Sequence, residues 1–256
     1  LTLVDNGGSI VDIVVYSDTR YNDPAKDDGG WTLELINPYH PCSFLNNWTA
    51  SNDPSGGTPG TQNSVFDTLP DTSSPELVSA IALSNDTVKL TFSEPMDNNS
   101  LFTGSYTINP QLTIANIQSV APDFTKVYLI FSSKLDTGIV YTITVDSVTD
   151  CSGNKISINN TYQFVLSPPA KKYDILITEI FADPTPQRPN VGLPIYEFYE
   201  IYNNSNKIFD INGLVIFYPG DYVIWCEEGA ATEFEQYGKV WPDPSFPSLS
   251  NTSDRI

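Results

Sequence analysis

The chain has 256 residues, room for two domains of ordinary size or for one domain with parts of another. Its formal charge of −19 divides into −6 over residues 1–66, −5 over 67–171 and −8 over 172–256, so the acid covers the whole surface and is not a tail. Such a surface repels phosphate backbones and anionic lipid, which argues against nucleic acid as a partner.

Thr, Ser, Asn, Asp, Tyr, Val and Ile are common, and 20 Pro and 15 Gly punctuate them, a composition that predicts an all-β fold with many turns. In chain order, the first expected element is a hairpin: Leu1 to Val4, a turn at Asn6-Gly7-Gly8, and a return through Ile10 to Tyr16. The returning strand is apolar on both faces, with Ile10, Val14 and Tyr16 on one side and Val11, Ile13 and Val15 on the other. It should therefore be covered twice, by a loop of its own domain or by a neighbour. Proline-rich linkers follow at 67–75 and 167–172. Between them, seven short runs at 77–83, 87–92, 106–108, 112–120, 126–131, 140–145 and 162–166 predict one Ig-like sandwich over 76–166. After the second linker, strands are expected from Ile175 onward. The last residues, 247–256, read without a break into Leu1, so a strand ending at Ile256 resumes at Leu1. No initiator Met or signal peptide is present, and the sequence reads as a mature or excised portion cut inside a domain. No apolar run approaches the roughly 20 residues of a membrane span.

The runs Leu90-Thr-Phe-Ser-Glu-Pro-Met-Asp97, Lys126-Val-Tyr-Leu-Ile-Phe-Ser132 and Val148-Thr-Asp-Cys-Ser-Gly-Asn154 resemble the bacterial Ig-like domains of surface-layer and adhesin proteins. That family usually has an aliphatic residue where Cys151 stands, which implies a buried apolar substitute. The flanks resemble two halves of a lamin-tail domain of the Bacteroidota secreted type. Ile175-Leu-Ile-Thr-Glu-Ile-Phe-Ala-Asp-Pro184, Glu197-Phe-Tyr-Glu-Ile-Tyr-Asn203 and Asp221-Tyr-Val-Ile-Trp225 are similar to its opening half, 173–256. Gly29-Gly-Trp-Thr-Leu-Glu-Leu-Ile-Asn-Pro38 and Gly56-Gly-Thr-Pro-Gly-Thr-Gln-Asn-Ser64 are similar to its closing half, 1–66. The expected fold class is thus all-β, with Ig-like β-sandwiches, one central and one assembled from the two ends of the chain. The halves would pair within a chain, between chains, or through continuation of the polypeptide as a tandem repeat. Because Cys42 and Cys226 fall where this type often carries cysteine, the resemblance implies a disulfide between the halves.

Chemistry-bearing patterns are sparse. The single histidine, His40, lies in a proline-bracketed loop with no nucleophile-elbow motif, and a solvated loop residue is the plain reading. Glu197 and Glu200 belong to the lamin-tail signature, and at least one is expected inward and satisfied by a backbone N–H or a hydroxyl. Asp23, Asp27 and Asp28 form an oxygen-rich turn that could hold Ca²⁺. They lack EF-hand spacing, and a solvated turn is the alternative. No other cofactor or metal is expected. Thr68, in Asp67-Thr68-Leu69, fits the short O-glycan acceptor pattern of the resembled proteins.

These features point to a non-catalytic, extracellular or cell-surface structural protein, not an enzyme: a repeat unit of a fibre, stalk or adhesin. Its partners would be neighbouring copies of itself or its own continuation, without membrane insertion, and Leu1, Ile13, Val15 and Ile256 are the interface candidates. Two alternatives stand beside it: a carbohydrate-binding module using Trp48, Trp225 or Trp241 on surface glycans, and accessory domains of a larger secreted hydrolase. A Trp pair lining an open groove would favour sugar binding, and buried Trp a fibre.

Overall fold

The computed structural model describes residues 1–14, 16–21, 23–26, 28–39, 47–185, 192–247 and 249. The strands are β1 (Thr2–Val4), β2 (Ile10–Ile13), β3 (Leu33–Leu35), β4 (Trp48–Ala50), β5 (Leu77–Ala82), β6 (Thr87–Phe92), β7 (Ser105–Asn109), β8 (Ile114–Ser119), β9 (Lys126–Phe131), β10 (Val140–Asp146) and β11 (Thr161–Val165). They continue as β12 (Ile175–Phe181), β13 (Phe198–Asn203), β14 (Phe209–Ile211), β15 (Val215–Phe217), β16 (Tyr222–Glu227) and β17 (Lys239–Asp243). Two short helices interrupt them, α1 (Asn98–Thr103) and α2 (Ala231–Phe234).

The seven central strands form two antiparallel sheets, ordered β5-β6-β9-β8 and β11-β10-β7. Strict alternation drives this sandwich. Val88, Leu90 and Phe92 of β6, Val127, Leu129 and Phe131 of β9, and Tyr141, Ile143 and Val145 of β10 are buried, while the residues between them face outward. Phe164 of β11 is wholly buried and stacks on Tyr141, with ring centroids 5.5 Å apart. Helix α1 falls between the second and third apolar runs. Asp97 caps it by accepting from the N–H groups of Asn99 and Ser100, the role Asp favours there.

Neither linker hangs free of its neighbours. Asp71, Ser74 and Glu76 are hydrogen-bonded to Asn154, Ser157 and Asn159 of the sandwich. Ser167 accepts the Asp210 N–H at 2.7 Å, and the Pro169 carbonyl accepts from Lys207. At that second joint Gly213 has φ +70°, and a Cβ there would overlap the Ile81 side chain, so only glycine lets the two modules approach this closely.

Beyond the second linker lies a four-stranded sheet, β12-β13-β16-β17, with a separate β14–β15 pair. The register places Phe198, Ile224 and Cys226 on one face, packed against Ala230 and Phe234. Ile201 and Val223 lie on the other face, against Phe209 and Phe217. Beside them Trp225 stacks on Trp241, centroids 4.4 Å apart, and Tyr199 meets Trp225 edge-on.

At the other end of the chain, β3 pairs with β4 and β1 with β2. Glu34 of β3 is buried and accepts from Thr58 Oγ1 (2.7 Å), Ser64 Oγ (2.8 Å) and the Ser64 N–H (2.7 Å). Burial alone would raise its pKa. The hydrogen bonds from Thr58, Ser64 and Ser51 outweigh burial and hold it at about 2. The β1–β2 hairpin turns where the sequence predicts, its turn clamped by Asp5 Oδ1, which accepts the Gly7 and Ser9 N–H groups. Its register pairs Leu3 with Asp12 and Val4 with Ile10, and the irregularity absorbs Val11, so the strict alternation expected along this strand is broken. Among the described residues no loop of the chain covers it: residues 1–12 are all exposed, which leaves cover by a neighbour as the remaining form of that expectation. Among the described residues no strand of β1–β4 shares a sheet with β12–β17. The join from Ile256 to Leu1 lies outside the described residues.

Candidate functional site

Three carboxylates far apart in sequence meet where the first linker reaches the sandwich. Ligand oxygens of Asp71, Glu94 and Asp150 all lie within 4.8 Å of one another. Asp150 is 1% exposed. It is fixed by Asn154, whose N–H and Nδ2 each donate to its carboxylate at 2.8 Å. The same Asn154 Nδ2 donates to the Asp71 carbonyl, tying the linker down beside the cluster. Glu94 comes from the turn after β6. Burial, then the neighbouring charges of Asp150 and Asp71, push its carboxyl up to about 7, and it shares a hydrogen bond with Asp150. Three hard oxygen donors are what a divalent cation takes, and these are the residues that could hold one. As a purely acidic group the cluster is also a proton trap.

That trap has a consequence for stability. The folded pKa of Glu94 lies above the ordinary glutamate value of 4.5. The favourable contribution is therefore complete below about 4.5 and is lost as pH rises through about 7. Glu94→Gln, which mimics the protonated acid, is expected to match wild type at pH 4. At pH 8 it should be more stable by about 1 kcal/mol, after allowance for solvent screening. Thermal melts at the two pH values check this, and equal gains at both would contradict the linkage.

The other sequence-predicted residues do not converge on this cluster. Asp23 accepts the Ala25 N–H and pairs with Lys26 at 3.3 Å, so its charge is already met within its own turn. Asp28 is exposed, and Asp27 lies outside the described residues, as do His40, Cys42, Val15 and Ile256. Thr68 is exposed in the linker, and Leu1 is 81% exposed. Ile13 sits in β2, its side chain outside the described residues. Glu197 accepts the Leu249 N–H at 2.7 Å and Glu200 accepts the Thr178 hydroxyl at 2.8 Å, the satisfied role expected of them.

The expected bridge between Cys42 and Cys226 is corrected. Cys226 is a free thiol, wholly buried among Phe198, Ile224, Ala230 and Phe234, because its strand register turns it into that small core. Burial and the adjacent Glu227 push it up to about 11, which leaves it inert. Cys151 is disulfide-bonded, in place of the apolar filler that the resemblance implies. Alkylation followed by peptide mapping is expected to label Cys226 only after denaturation and to find Cys151 blocked until reduction. Rapid labelling of Cys226 in the native protein would contradict its burial.

Trp225 and Trp241 are half-buried and cover each other's faces, with the Trp225 Nε1 donating to Asp243 at 3.0 Å. They therefore do not present the pair of open platforms that a sugar ring needs. A separate cleft of about 470 Å³ lies between β11 and the β14–β15 pair, lined by Tyr162, Gln163, Leu214, Tyr218 and Lys239. In β14, burial raises the Asp210 carboxyl to about 6. One of its oxygens accepts the Gly213 N–H. No helix among the described residues is long and apolar enough to cross a membrane.

No curated protein matches the chain. Among solved structures it is similar to the S-layer protein rSbsC(31–844), with a TM-score of 0.34 and 19% identity over 58% of this chain and 19% of that one. It is also similar to the N-terminal part of the bacterial S-layer protein SbsC, with a TM-score of 0.34 and 20% identity over 58% of this chain and 33% of that one. The match thus spans a fifth to a third of those chains. Residues 61–165 match the family model of the bacterial Ig-like domain, so the central sandwich is Ig-like by sequence as well as by fold.

Proposed function

We propose that the chain is a non-catalytic structural unit of an extracellular or cell-surface protein, a fibre, stalk or adhesin segment that works by spacing and self-association. One observation carries the reading: a closed Ig-like sandwich stands between two end modules, each with apolar strand surface uncovered. A surface of that kind on a soluble protein marks an association site. The lamin-tail resemblance of the ends supports it, with the central domain as a spacer tied to both neighbours through its linkers. The disulfide at Cys151 fits an oxidising exterior, and the exposure of Thr68 supports its reading as a glycan acceptor. The self-stacked Trp pair weighs against sugar binding as the main role.

Protease shaving of intact source cells tests the location. Peptides of this chain, the exposed linker around Thr68 among them, should be released before any cytoplasmic marker. Release only after lysis would overturn the reading.

A further inference from the structure

The apolar face of the four-stranded sheet runs past its cover. Ile201 and Tyr199 of β13 are buried on that face, and the register opposes Ile177 to Ile201 and Ile180 to Tyr199. The bulge between Ile177 and Glu179 is what keeps them in line. In an unbroken strand, with 178 kept in register, Ile180 would fall on the opposite face from Ile175 and Ile177. Yet Ile175, Ile177 and Ile180 are 36%, 49% and 58% exposed, because the β14–β15 layer packs on Ile201 and Val223 and stops short of the edge. Among the described residues β12 is also paired only to β13, which leaves its other hydrogen-bonding edge open. At the other end of the same chain, the β1–β2 hairpin exposes Leu1, Leu3, Val4, Ile10 and Val11, each by more than half. One place lacks a covering strand, and the other is a strand pair with nothing to cover.

We propose that the β1–β2 hairpin of one copy docks on the β12 edge of a second copy, covering Ile175, Ile177 and Ile180 and completing that sheet face. The inference rests on the self-association reading above and specifies its surfaces. Leu1 and Leu3 face one side of the hairpin and Val4 and Ile10 the other, so one contact draws on a single hairpin face; Val4 and Ile10 with the three isoleucines present on the order of 500 Å². With the strand backbones that pairing covers, the buried total stays below the ~1,200 Å² at which stable specific interfaces begin, so the contact is weak and concentration-dependent. Charge does not oppose this: residues 1–14 carry Asp5 and Asp12 and no Lys or Arg, whereas over 171–181 Lys171 and Lys172 balance Asp174 and Glu179, so the edge is the less acidic of the two surfaces. The two patches differ, so the contact is head-to-tail and each docked copy offers a further free hairpin and a further free edge. Copies of charge −19 repel at long range, so association should strengthen as salt shortens the screening length.

The test uses the full chain in sedimentation velocity, as wild type, Ile10→Asp and Ile180→Asp. Both replaced side chains are more than half exposed, so each variant should melt at the wild-type temperature, which separates lost docking from lost folding. Wild type is expected to form a concentration-dependent series of oligomers, and each variant alone to stay monomeric. An equimolar mixture of the two variants should give a dimer and nothing larger, since one intact hairpin meets one intact edge. Assembly by wild type and by both variants alike overturns the hairpin–edge contact while leaving self-association standing. A mixture that stays monomeric overturns it as well. A wild type that is monomeric throughout, as it would be if the hairpin folded back on its own chain, overturns both the contact and the reading beneath it.

Discussion

Phe164→Ala is expected to cost the central sandwich about 4 kcal/mol and to lower its melting temperature by on the order of 20 °C. The ring is wholly buried where β11 faces the opposite sheet, and it stacks on Tyr141 at 5.5 Å. Removing it deletes transfer energy and leaves a void. The void is walled by β-branched and aromatic side chains such as Ile143 and Tyr141, which sit on fixed strands and cannot collapse into it. The effect should appear in the unfolding transition of the Ig-like domain, followed by differential scanning calorimetry. A loss below about 1 kcal/mol would mean that the two sheets are not close-packed at this point.

The second large effect is at Glu34. Glu34→Gln should destabilise the β3–β4 module by about 2 kcal/mol at neutral pH, the scale of hydrogen bonds to a charged group. The carboxylate accepts from the hydroxyls of Thr58 and Ser64 and from the Ser64 N–H, and the glutamine amide nitrogen would turn donors toward donors. The sign of the pH dependence is fixed. The folded pKa, about 2, lies below the ordinary glutamate value of 4.5. The stabilisation is therefore complete above about 4.5 and is lost as pH falls toward 2. Wild type weakens in that acid range and the variant does not, so the difference between them should shrink as pH drops. Urea titrations followed by the fluorescence of Trp31 and Trp48 can read it. A difference that stays constant from pH 7 to pH 3 would show that the site is held by shape and not by charge.

The two sites differ in how visible they are in sequence. The sandwich is legible because its strands alternate. The runs at 87–92 and 126–131 coincide with β6 and β9, and the other five fall within a few residues of their strands. Helix α1 is not apparent from apolar periodicity, since Asn98-Asn-Ser-Leu-Phe-Thr103 has too few apolar residues to show a period; its one signal is the cap at Asp97. The hairpin turn is written in Asp5-Asn-Gly-Gly8, but the fate of its two apolar faces depends on what else is present, and strand pattern cannot supply that. The acidic cluster is invisible for a different reason. Asp71, Glu94 and Asp150 sit in a linker and two turns, and only the closure of the sandwich brings them together. The cysteine pairing fails on the same ground, because the register that turns Cys226 into a sealed core depends on the pairing of β13 with β16. Glu34 looks like any carboxylate in an alternating strand until the Thr58 and Ser64 loops close over it.

The central claim, a structural unit that works by association, is tested most directly by sedimentation velocity of the unmodified chain over a hundredfold range of concentration at physiological salt. The mean mass is expected to climb in whole multiples of the monomer, and to climb further at higher salt. A single monomeric boundary across the whole range, indifferent to salt, would contradict it.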